Sequence, residues 1–195
     1  MEQILLILDW VLYVLFAINI LYLLVYSLAS LRRKPAKMAP AKEHKRIALL
    51  IAAYREDAVI MDTVQAYLGK DSYDIALIID ADNIINSSYL VELNSAFAYP
   101  KVQVVQTHRI AKNLNTNMAY LDAISEEINN SIFRLGHVNL GMSAALIGSG
   151  MAFEYSLFYK AMMSNTSVGG FDRVLEMKLL YHRIFFHYLP DTYVL

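Results

Sequence analysis

The sequence contains no cysteine among its 195 residues. Disulfide bonds and thiolate metal sites are therefore excluded, although this absence does not by itself identify a compartment. The formal net charge is only −1, and nothing in the charge distribution indicates a nucleic-acid-binding protein. Internal repeats and low-complexity tracts are also absent. What is left is an ordinary chain length, enough for one domain with a hydrophobic core.

Charged residues are absent from one long apolar stretch of 22 residues, Trp10 to Leu31. As an α-helix it would extend roughly 33 Å at about 1.5 Å per residue, which is enough to cross a bilayer. A cleaved signal peptide is the alternative. However, the start Met-Glu-Gln lacks a basic segment, and the apolar run is longer than that of an ordinary signal. We therefore predict a transmembrane anchor over residues 1–31.

Positive charge is concentrated directly after the apolar stretch. Residues 32–46 hold seven of the 17 Lys and Arg residues but only one of the 18 Asp and Glu residues. Because Glu2 and Asp9 precede the span, the positive-inside rule places the N-terminus outside and the bulk of the chain in the cytoplasm. We predict a single-pass protein of the inner or plasma membrane, with residues 32–46 as a basic juxtamembrane linker. This segment acts either as a topogenic signal or as a binding site for anionic lipid.

Hydrophobic periodicity in residues 47–195 predicts strands that alternate with helices. Predicted strands cover residues 47–52, 75–79, 101–109 and 184–189, with a short strand inside 141–153. Predicted helices cover residues 57–68, 87–97, 116–135 and 174–182, the second with Ser87 or Ser88 as its N-cap. Strand 101–109 alternates apolar and polar residues, as a partly exposed strand does. The alternation of elements predicts a layered α/β domain with a largely parallel sheet.

Two carboxylates separated by one residue end the apolar stretch "YDIALIIDADNII", residues 73–85. Ligands of such sheets gather at the carboxyl ends of strands, so we expect Asp80 and Asp82 to share a crevice with Tyr54 and Glu56. Two carboxylates at a strand end can bind a hard divalent cation whose coordination is completed by phosphate oxygens and water. A solvated turn is the structural alternative, because Asp and Asn are turn formers.

Other readings of these motifs are weaker. An EF-hand is excluded because Ile84 and Ile85 stand where its loop needs an oxygen ligand and glycine. A haloacid dehalogenase-like phosphatase with Asp80 as nucleophile remains an alternative. The loop "GSGMAF" lacks the third glycine of a dinucleotide-binding loop. His182 and His187 form no zincin motif. Glu126 and Glu127 are expected to lie on a helix, either solvated or paired with the downstream Arg134 and His137.

Taken together and in this order, six stretches resemble the inverting family-2 glycosyltransferases, in the branch of cellulose synthase-like and polysaccharide-forming membrane enzymes. They are "AAYRED", "LIIDADNIINSSYL", "VQVVQTHRIAKN", "LDAISEEINN", "ALIGSGMAF" and "GGFDRVLEMKLL…YLPDTYVL". The resemblance runs from about Arg46 to Leu195. It implies a GT-A-like, Rossmann-like mixed sheet flanked by helices over residues 47–195. It also implies a metal-dependent enzyme that transfers sugar from a nucleotide-diphospho-sugar to a glycan or lipid-linked acceptor.

The resemblance also implies roles for individual residues. Asp80 and Asp82 would be the Asp-x-Asp motif that holds Mg²⁺ or Mn²⁺ against the diphosphate. The predicted nucleotide-sugar-binding residues are Ala53, Tyr54, Glu56, Asp80, Gly148, Ser149 and Gly150. The catalytic base of the family aligns with Val174, which leaves Asp172 and Glu176 as the candidates for that role.

Two departures from the family pattern predict a truncated and internally deleted representative. Relatives have a further nucleotide-binding segment where Leu68 here leads almost directly to Ile75, and a Gln-x-x-Arg-Trp motif beyond the position of Leu195. A catalytically inactive, membrane-tethered remnant or interaction subunit is therefore the alternative to an active enzyme. The sequence does not identify the donor sugar, the acceptor, the linkage or the oligomeric state.

Overall fold

The structure is a computed structural model that describes residues 2–32, 38–52, 73–163 and 170–195. The helices in these ranges are α1 (Glu2–Ser30), α2 (Tyr89–Phe97), α3 (Asn117–Asn129), α4 (His137–Asn139), α5 (Tyr155–Met163) and α6 (Phe171–Tyr181). A π-helical segment, Asn130–Gly136, joins α3 to α4. The strands are β1 (Ile47–Ala52), β2 (Ile75–Asp80), β3 (Val104–Arg109), β4 (Met151–Glu154) and β5 (Phe186–Val194).

The five strands form one mixed sheet in the order β1-β2-β4-β3-β5. β1 is parallel to β2, and β3 is parallel to β5. β4 runs antiparallel to both of its neighbours, so the other four strands all point the same way. The predicted α/β class with a largely parallel sheet is confirmed. Helix α5 was not predicted from the sequence, and the predicted helix 57–68 lies outside the described residues.

Strand β3 is more buried than its alternating sequence predicts. Its first four residues, Val104 to Thr107, are all buried, so the expectation of a partly exposed strand is wrong. The reason is its place in the sheet between β4 and β5, with packing on both faces. Val104 belongs to one core cluster, and Val105 belongs to the other. The polar Gln106 and Thr107 therefore point into the protein interior.

The sheet has a hydrophobic core on each face. On one face, Phe153 of β4 packs with Phe158 of α5 and with Leu175 and Leu179 of α6. On the other face, α2 contributes Tyr89, Leu93 and Phe97 to a cluster with β2 and β3. Ser88 stands at the N-cap position of α2 as predicted, but its hydroxyl donates to Glu92 Oε1 (2.6 Å) instead of capping the backbone.

Residues 38–46, the described part of the juxtamembrane stretch after Arg32, lie along α2 and the residues that follow it. The backbone N–H of Ala39 donates to Tyr99 Oη (3.0 Å), and that of Lys45 donates to Asn94 Oδ1 (2.9 Å). The Asn94 amide in turn donates to the carbonyl oxygen of Glu43 (2.9 Å). The second half of the predicted linker is thus held by hydrogen bonds to the domain.

Helix α1 is long, apolar and almost wholly exposed until its last turns. None of its most apolar 18-residue window is buried, and the mean hydropathy of that window is 2.5. Its C-terminal end contacts the π-helical segment and α4. Ser30 Oγ lies 2.7 Å from Ser131 Oγ, and Tyr22 Oη lies 2.8 Å from His137 Nε2. Gly136 permits this approach, because a Cβ there would lie 2.5 Å from the carbonyl oxygen of Tyr26.

Candidate active site

The direction of the strands brings three polar segments to one edge of the sheet. β2 ends at Asp80 and β3 ends at Arg109, and both strands point toward this edge. β4 runs the other way, so the loop that precedes it, Gly148–Gly150, lies at the same edge. Such an edge is where α/β sheets bind their ligands. The topology therefore joins the "DADN" turn to the "GSG" loop, which are 66 residues apart in the sequence.

The turn after β2 is locked to the glycine loop by hydrogen bonds. The backbone N–H of Asp80 donates to Asn83 Oδ1 (3.2 Å) and to Ser149 Oγ (3.0 Å). The Ser149 hydroxyl also donates to Asn83 Oδ1, and the Asn83 N–H donates to the carbonyl oxygen of Asp80 (3.1 Å). The Asn83 N–H thus closes a β-turn over residues 80–83, and its side chain bonds back to the first residue of that turn. These bonds fix the backbone from which the Asp80 and Asp82 carboxylates project.

The Asp80 carboxylate lies between opposing charges. Burial raises its pKa, Arg109 lowers it, and the neighbouring charge of Asp82 raises it. A carboxyl group that is partly desolvated and next to a second carboxylate gains from an additional cation. Arg109 supplies positive charge from the end of β3. Sequence reasoning missed Arg109, although this residue lies within the motif "VQVVQTHRIAKN".

Asp80 and Asp82 fit a hard divalent cation that takes only part of its coordination from the protein. Their oxygen ligands are of the type that Mg²⁺ and Mn²⁺ accept. Within the ranges that the structure describes, no three His, Asp or Glu side chains come together as a metal-binding group. The pair therefore suits a cation shared with a phosphate group or water, and it does not form a site built of protein ligands alone.

Hydrogen bonds from Gln106 and Thr107, the two buried polar residues of β3, hold the glycine loop in place. Gln106 Nε2 donates to the carbonyl oxygens of Ser149 (2.9 Å) and Thr107 (3.0 Å), and Gln106 Oε1 accepts from the Ile147 N–H (3.2 Å). The Thr107 N–H and hydroxyl both donate to the carbonyl oxygen of Gly150 (2.9 and 3.0 Å). In the sequence, Gln106 and Thr107 directly follow the apolar pair Val104 and Val105, and nothing else in the local pattern distinguished them from exposed strand residues.

Gly150 is the tightest position of this loop. Its φ is +66°, and a Cβ would lie 2.5 Å from Thr107 Oγ1. The Thr107 hydroxyl has little freedom to move, because Tyr89 Oη also lies 3.0 Å from it and both side chains are buried. Burial raises the pKa of Tyr89 to about 12, so this hydroxyl stays neutral.

We predict that Gly150→Ala destabilises the domain more than Gly170→Ala does. Both glycines have φ near +60°, but no atom of the described residues lies within 4 Å of a Cβ at Gly170. Each substitution incurs the left-handed backbone cost of about 1–2 kcal/mol. Gly150→Ala alone adds overpacking, typically about 1–3 kcal/mol. Guanidinium unfolding of the two detergent-solubilised variants measures the difference, and equal losses would contradict the close contact.

Asp172 faces the glycine loop from the first turn of α6. Its Oδ2 atom lies 3.7 Å from the position that a Cβ would take at Gly148. α6 is anchored by Leu175 and Leu179, which are buried in the core. Glu176 is differently placed, since its carboxylate accepts a hydrogen bond from Arg173 (2.9 Å). Of the two predicted base candidates, Asp172 is the one with a carboxylate next to the loop.

The predicted residues thus fall into three groups. Asp80, Asp82, Asp172 and the glycine loop lie at one sheet edge, while Glu176 is in an ion pair with Arg173. Ala53, Tyr54 and Glu56 lie outside the described residues. The last described residue before them, Ala52, pairs in register with Asp80.

Comparison with family models identifies one match, described as "Glycosyl transferase family group 2", over residues 75–191. The match covers more than half of the chain and includes every described residue of the candidate site. Comparison with curated proteins gives no significant match.

Proposed function

Since the chain belongs to glycosyl transferase family group 2 and is by family a glycosyltransferase, we propose that it is a membrane-anchored, inverting enzyme. It would transfer a sugar from a nucleotide-diphospho-sugar to a glycan or lipid-linked acceptor. One observation carries the proposal. Asp80 and Asp82, the Gly148–Gly150 loop and Asp172 lie at one sheet edge, where a donor diphosphate and an acceptor hydroxyl can meet.

Asp80 and Asp82 would hold Mg²⁺ or Mn²⁺ against the donor diphosphate. A bound divalent cation supplies Lewis-acid stabilisation of the charge that develops on the departing nucleoside diphosphate. Arg109 adds positive charge at the same place, as its effect on the pKa of Asp80 indicates. The loop with Gly148, Ser149 and Gly150 would line the pocket for the donor sugar, and Ala53, Tyr54 and Glu56 would contact the nucleoside.

Asp172 is the proposed catalytic base, with Glu176 as the second candidate. In an inverting transfer the acceptor hydroxyl gives its proton to a carboxylate while its oxygen attacks the anomeric carbon. The bond from that carbon to the diphosphate oxygen breaks on the opposite side. A carboxylate next to the Gly148–Gly150 loop is in a suitable place for this proton transfer, because the loop would bind the reacting sugar.

The membrane part of the proposal rests on α1. A 29-residue helix extends roughly 43 Å at about 1.5 Å per residue, which is longer than the hydrocarbon core of about 30 Å. We propose that residues 1–31 anchor the protein in the inner or plasma membrane and that residues 47–195 form the cytoplasmic catalytic domain. Residues 32–46 would connect them at the membrane surface, with the basic side on the cytoplasmic face.

Ligand binding tests the proposal directly. We expect Mn²⁺ together with uridine or guanosine diphosphate to raise the melting temperature of the detergent-solubilised full chain. Asp82→Ala should abolish the shift, because it removes one of two metal ligands. Asp122→Ala, which removes an exposed carboxylate on α3, should leave the shift unchanged. Mn²⁺ alone and the nucleoside without phosphates are the ligand controls.

The alternatives predict different results. A catalytically inactive remnant that keeps the carboxylates would show the thermal shift without release of nucleoside diphosphate from a nucleotide sugar. The absence of any shift in the parent chain would contradict the donor site itself. The phosphatase alternative with Asp80 as nucleophile receives no support from the family match. It predicts hydrolysis of phosphate esters, which an assay with p-nitrophenyl phosphate measures.

A further inference from the structure

Helix α3 has its apolar side turned outward. Tyr120, Ile124 and Ile128 recur at intervals of four residues, with Leu121 beside them, so these four side chains form one stripe. They are between 43% and 60% exposed, and no residue of α3 is buried. We call these four residues the α3 stripe. A helix on a soluble domain normally turns such a stripe toward the core.

The polar side of α3 is the side attached to the protein. Glu126 accepts a hydrogen bond from the buried Arg134 (2.8 Å), and Glu127 Oε1 lies 2.8 Å from His108 Nε2. In the next turn, Asn130 Nδ2 donates to the carbonyl oxygen of Arg109 (2.8 Å). These contacts fix the rotation of the helix about its axis. The apolar stripe therefore cannot turn inward without breaking the ion pair of a buried arginine.

The α3 stripe is continuous with the end of α1. A cavity of about 440 Å³ lies between them and is lined by Ser27 of α1, Ser131 of the π-helical segment, and Leu114, Ile124 and Ile128. Ser27 is four residues, or about 6 Å, from the end of the uncharged run at Leu31. If α1 spans the bilayer, this cavity lies at the level where acyl chains meet headgroups.

Basic residues next to the α3 stripe suit a position at the boundary between acyl chains and headgroups. Arg32 follows α1 directly and is exposed, as is Lys112 in the loop before α3. Tyr26 of α1 makes an edge-to-face contact with His137. It lies five residues, or about 8 Å, from Leu31, close to the interface where aromatic residues concentrate in membrane proteins. Basic residues near headgroups and apolar side chains below them are the arrangement of a helix that lies in the membrane interface.

We infer that α3 lies in the membrane surface, with the α3 stripe among the lipid acyl chains of the cytoplasmic leaflet. The inference rests on the proposed membrane anchor, and it goes beyond it by giving the catalytic domain a second lipid contact. The sheet edge with Arg109 is attached to this helix through Asn130 and Glu127, so the contact would hold the candidate site at a constant height above the bilayer.

Single-cysteine labelling tests the inference, because the chain contains no cysteine of its own. Leu121→Cys and Asp122→Cys are adjacent and exposed, but they lie on different sides of α3. Phe16→Cys in α1 reports on the anchor. Each full-length variant is labelled with a nitrobenzoxadiazole dye and reconstituted into vesicles that contain lipids with a doxyl quencher on the acyl chain.

We expect the labels at positions 16 and 121 to be quenched several-fold more strongly by doxyl lipid than the label at 122. The label at 122 should instead be quenched by aqueous iodide. Equal exposure of 121 and 122 to iodide, with 16 quenched by lipid, would overturn the inference and leave the anchor intact. Protection of 121 that depends on protein density and not on doxyl lipid would indicate a second copy of the chain and overturn it as well.

Two further results separate this inference from the proposals on which it rests. Loss of lipid quenching at position 16 would overturn the anchor and the inference together. The thermal shift with Mn²⁺ and nucleoside diphosphate is measured on all three variants and should persist, since none of these residues belongs to the candidate site. A retained thermal shift would show that the labelled proteins are folded and that donor binding is independent of the lipid contact.

Discussion

Replacing Asp172 by asparagine is expected to lower the rate of sugar transfer by about 10²–10⁴-fold, the usual contribution of a general base. Asparagine keeps the shape of the side chain but cannot take the proton of the acceptor hydroxyl. The side chain lies against the Gly148–Gly150 loop and outside the "DADN" turn. Donor binding should therefore survive, and the loss should appear in kcat with little change in the thermal shift caused by Mn²⁺ and nucleoside diphosphate.

The matched control is Glu176→Gln, one turn further along α6. Glu176 forms an ion pair with Arg173, whose side chain is largely exposed. We expect this variant to keep most of its activity, because the Glu176 carboxylate is already paired with Arg173 and glutamine can still accept that hydrogen bond. The measurement is release of nucleoside diphosphate from uridine and guanosine diphosphate sugars by the reconstituted full chain. A larger loss in Glu176→Gln than in Asp172→Asn would reverse the two assignments.

Replacing Glu126 by alanine is expected to destabilise the domain by about 3–5 kcal/mol, because it leaves the charge of Arg134 buried without its carboxylate partner. The Arg134 side chain is only 1% exposed, and its Nη1 atom lies 2.8 Å from Glu126 Oε1. Arg134 Nη1 also donates a hydrogen bond to the Asn130 side chain, which is neutral. At about 2–4 °C per kcal/mol, the melting temperature should fall by a readily measured amount.

Glu127→Ala is the control, since it removes the neighbouring carboxylate of the same helix. Glu127 is 54% exposed and pairs with His108, so we expect a loss of less than about 1 kcal/mol. The double variant Glu126→Gln with Arg134→Met removes both buried charges and should recover much of the stability. Similar melting temperatures for Glu126→Ala and Glu127→Ala would show that Arg134 does not depend on Glu126.

The carboxylate pairs Glu126/Glu127 and Asp172/Glu176 show what the sequence alone can predict and what it cannot. Sequence reasoning placed Glu126 and Glu127 on a helix, solvated or paired with Arg134 and His137. The pair of Glu126 with Arg134 is confirmed, but Glu127 pairs with His108 instead, and the sequence did not distinguish the two carboxylates. Glu126 pairs with a guanidinium that is 1% exposed, whereas Glu127, itself 54% exposed, pairs with an imidazole that is 19% exposed. Which of the two carboxylates contributes more to stability depends on how deeply its partner is buried, and burial results from tertiary packing. The same holds for Asp172 and Glu176, which differ only in what their helix brings them near.

Local sequence determined the elements themselves. Apolar runs define β1 and β2, an apolar span of 22 uncharged residues defines α1, and the carboxylates after β2 define the most prominent polar turn. These features depend on neighbouring residues in the chain, through side-chain periodicity and turn chemistry. The family membership, too, agrees with the order of short motifs in the sequence.

Only the tertiary structure decided which elements meet. The antiparallel β4 brings Ser149 to the backbone of Asp80, and sheet position buries Gln106 and Thr107 although their strand alternates like an exposed one. The outward rotation of α3 is set by Arg134 and Asn130, which lie beyond that helix. Strand order and helix rotation result from long-range packing that no local pattern encodes. The sequence therefore specifies the polar and apolar groups, while packing determines which of them share a site and which lie on the surface.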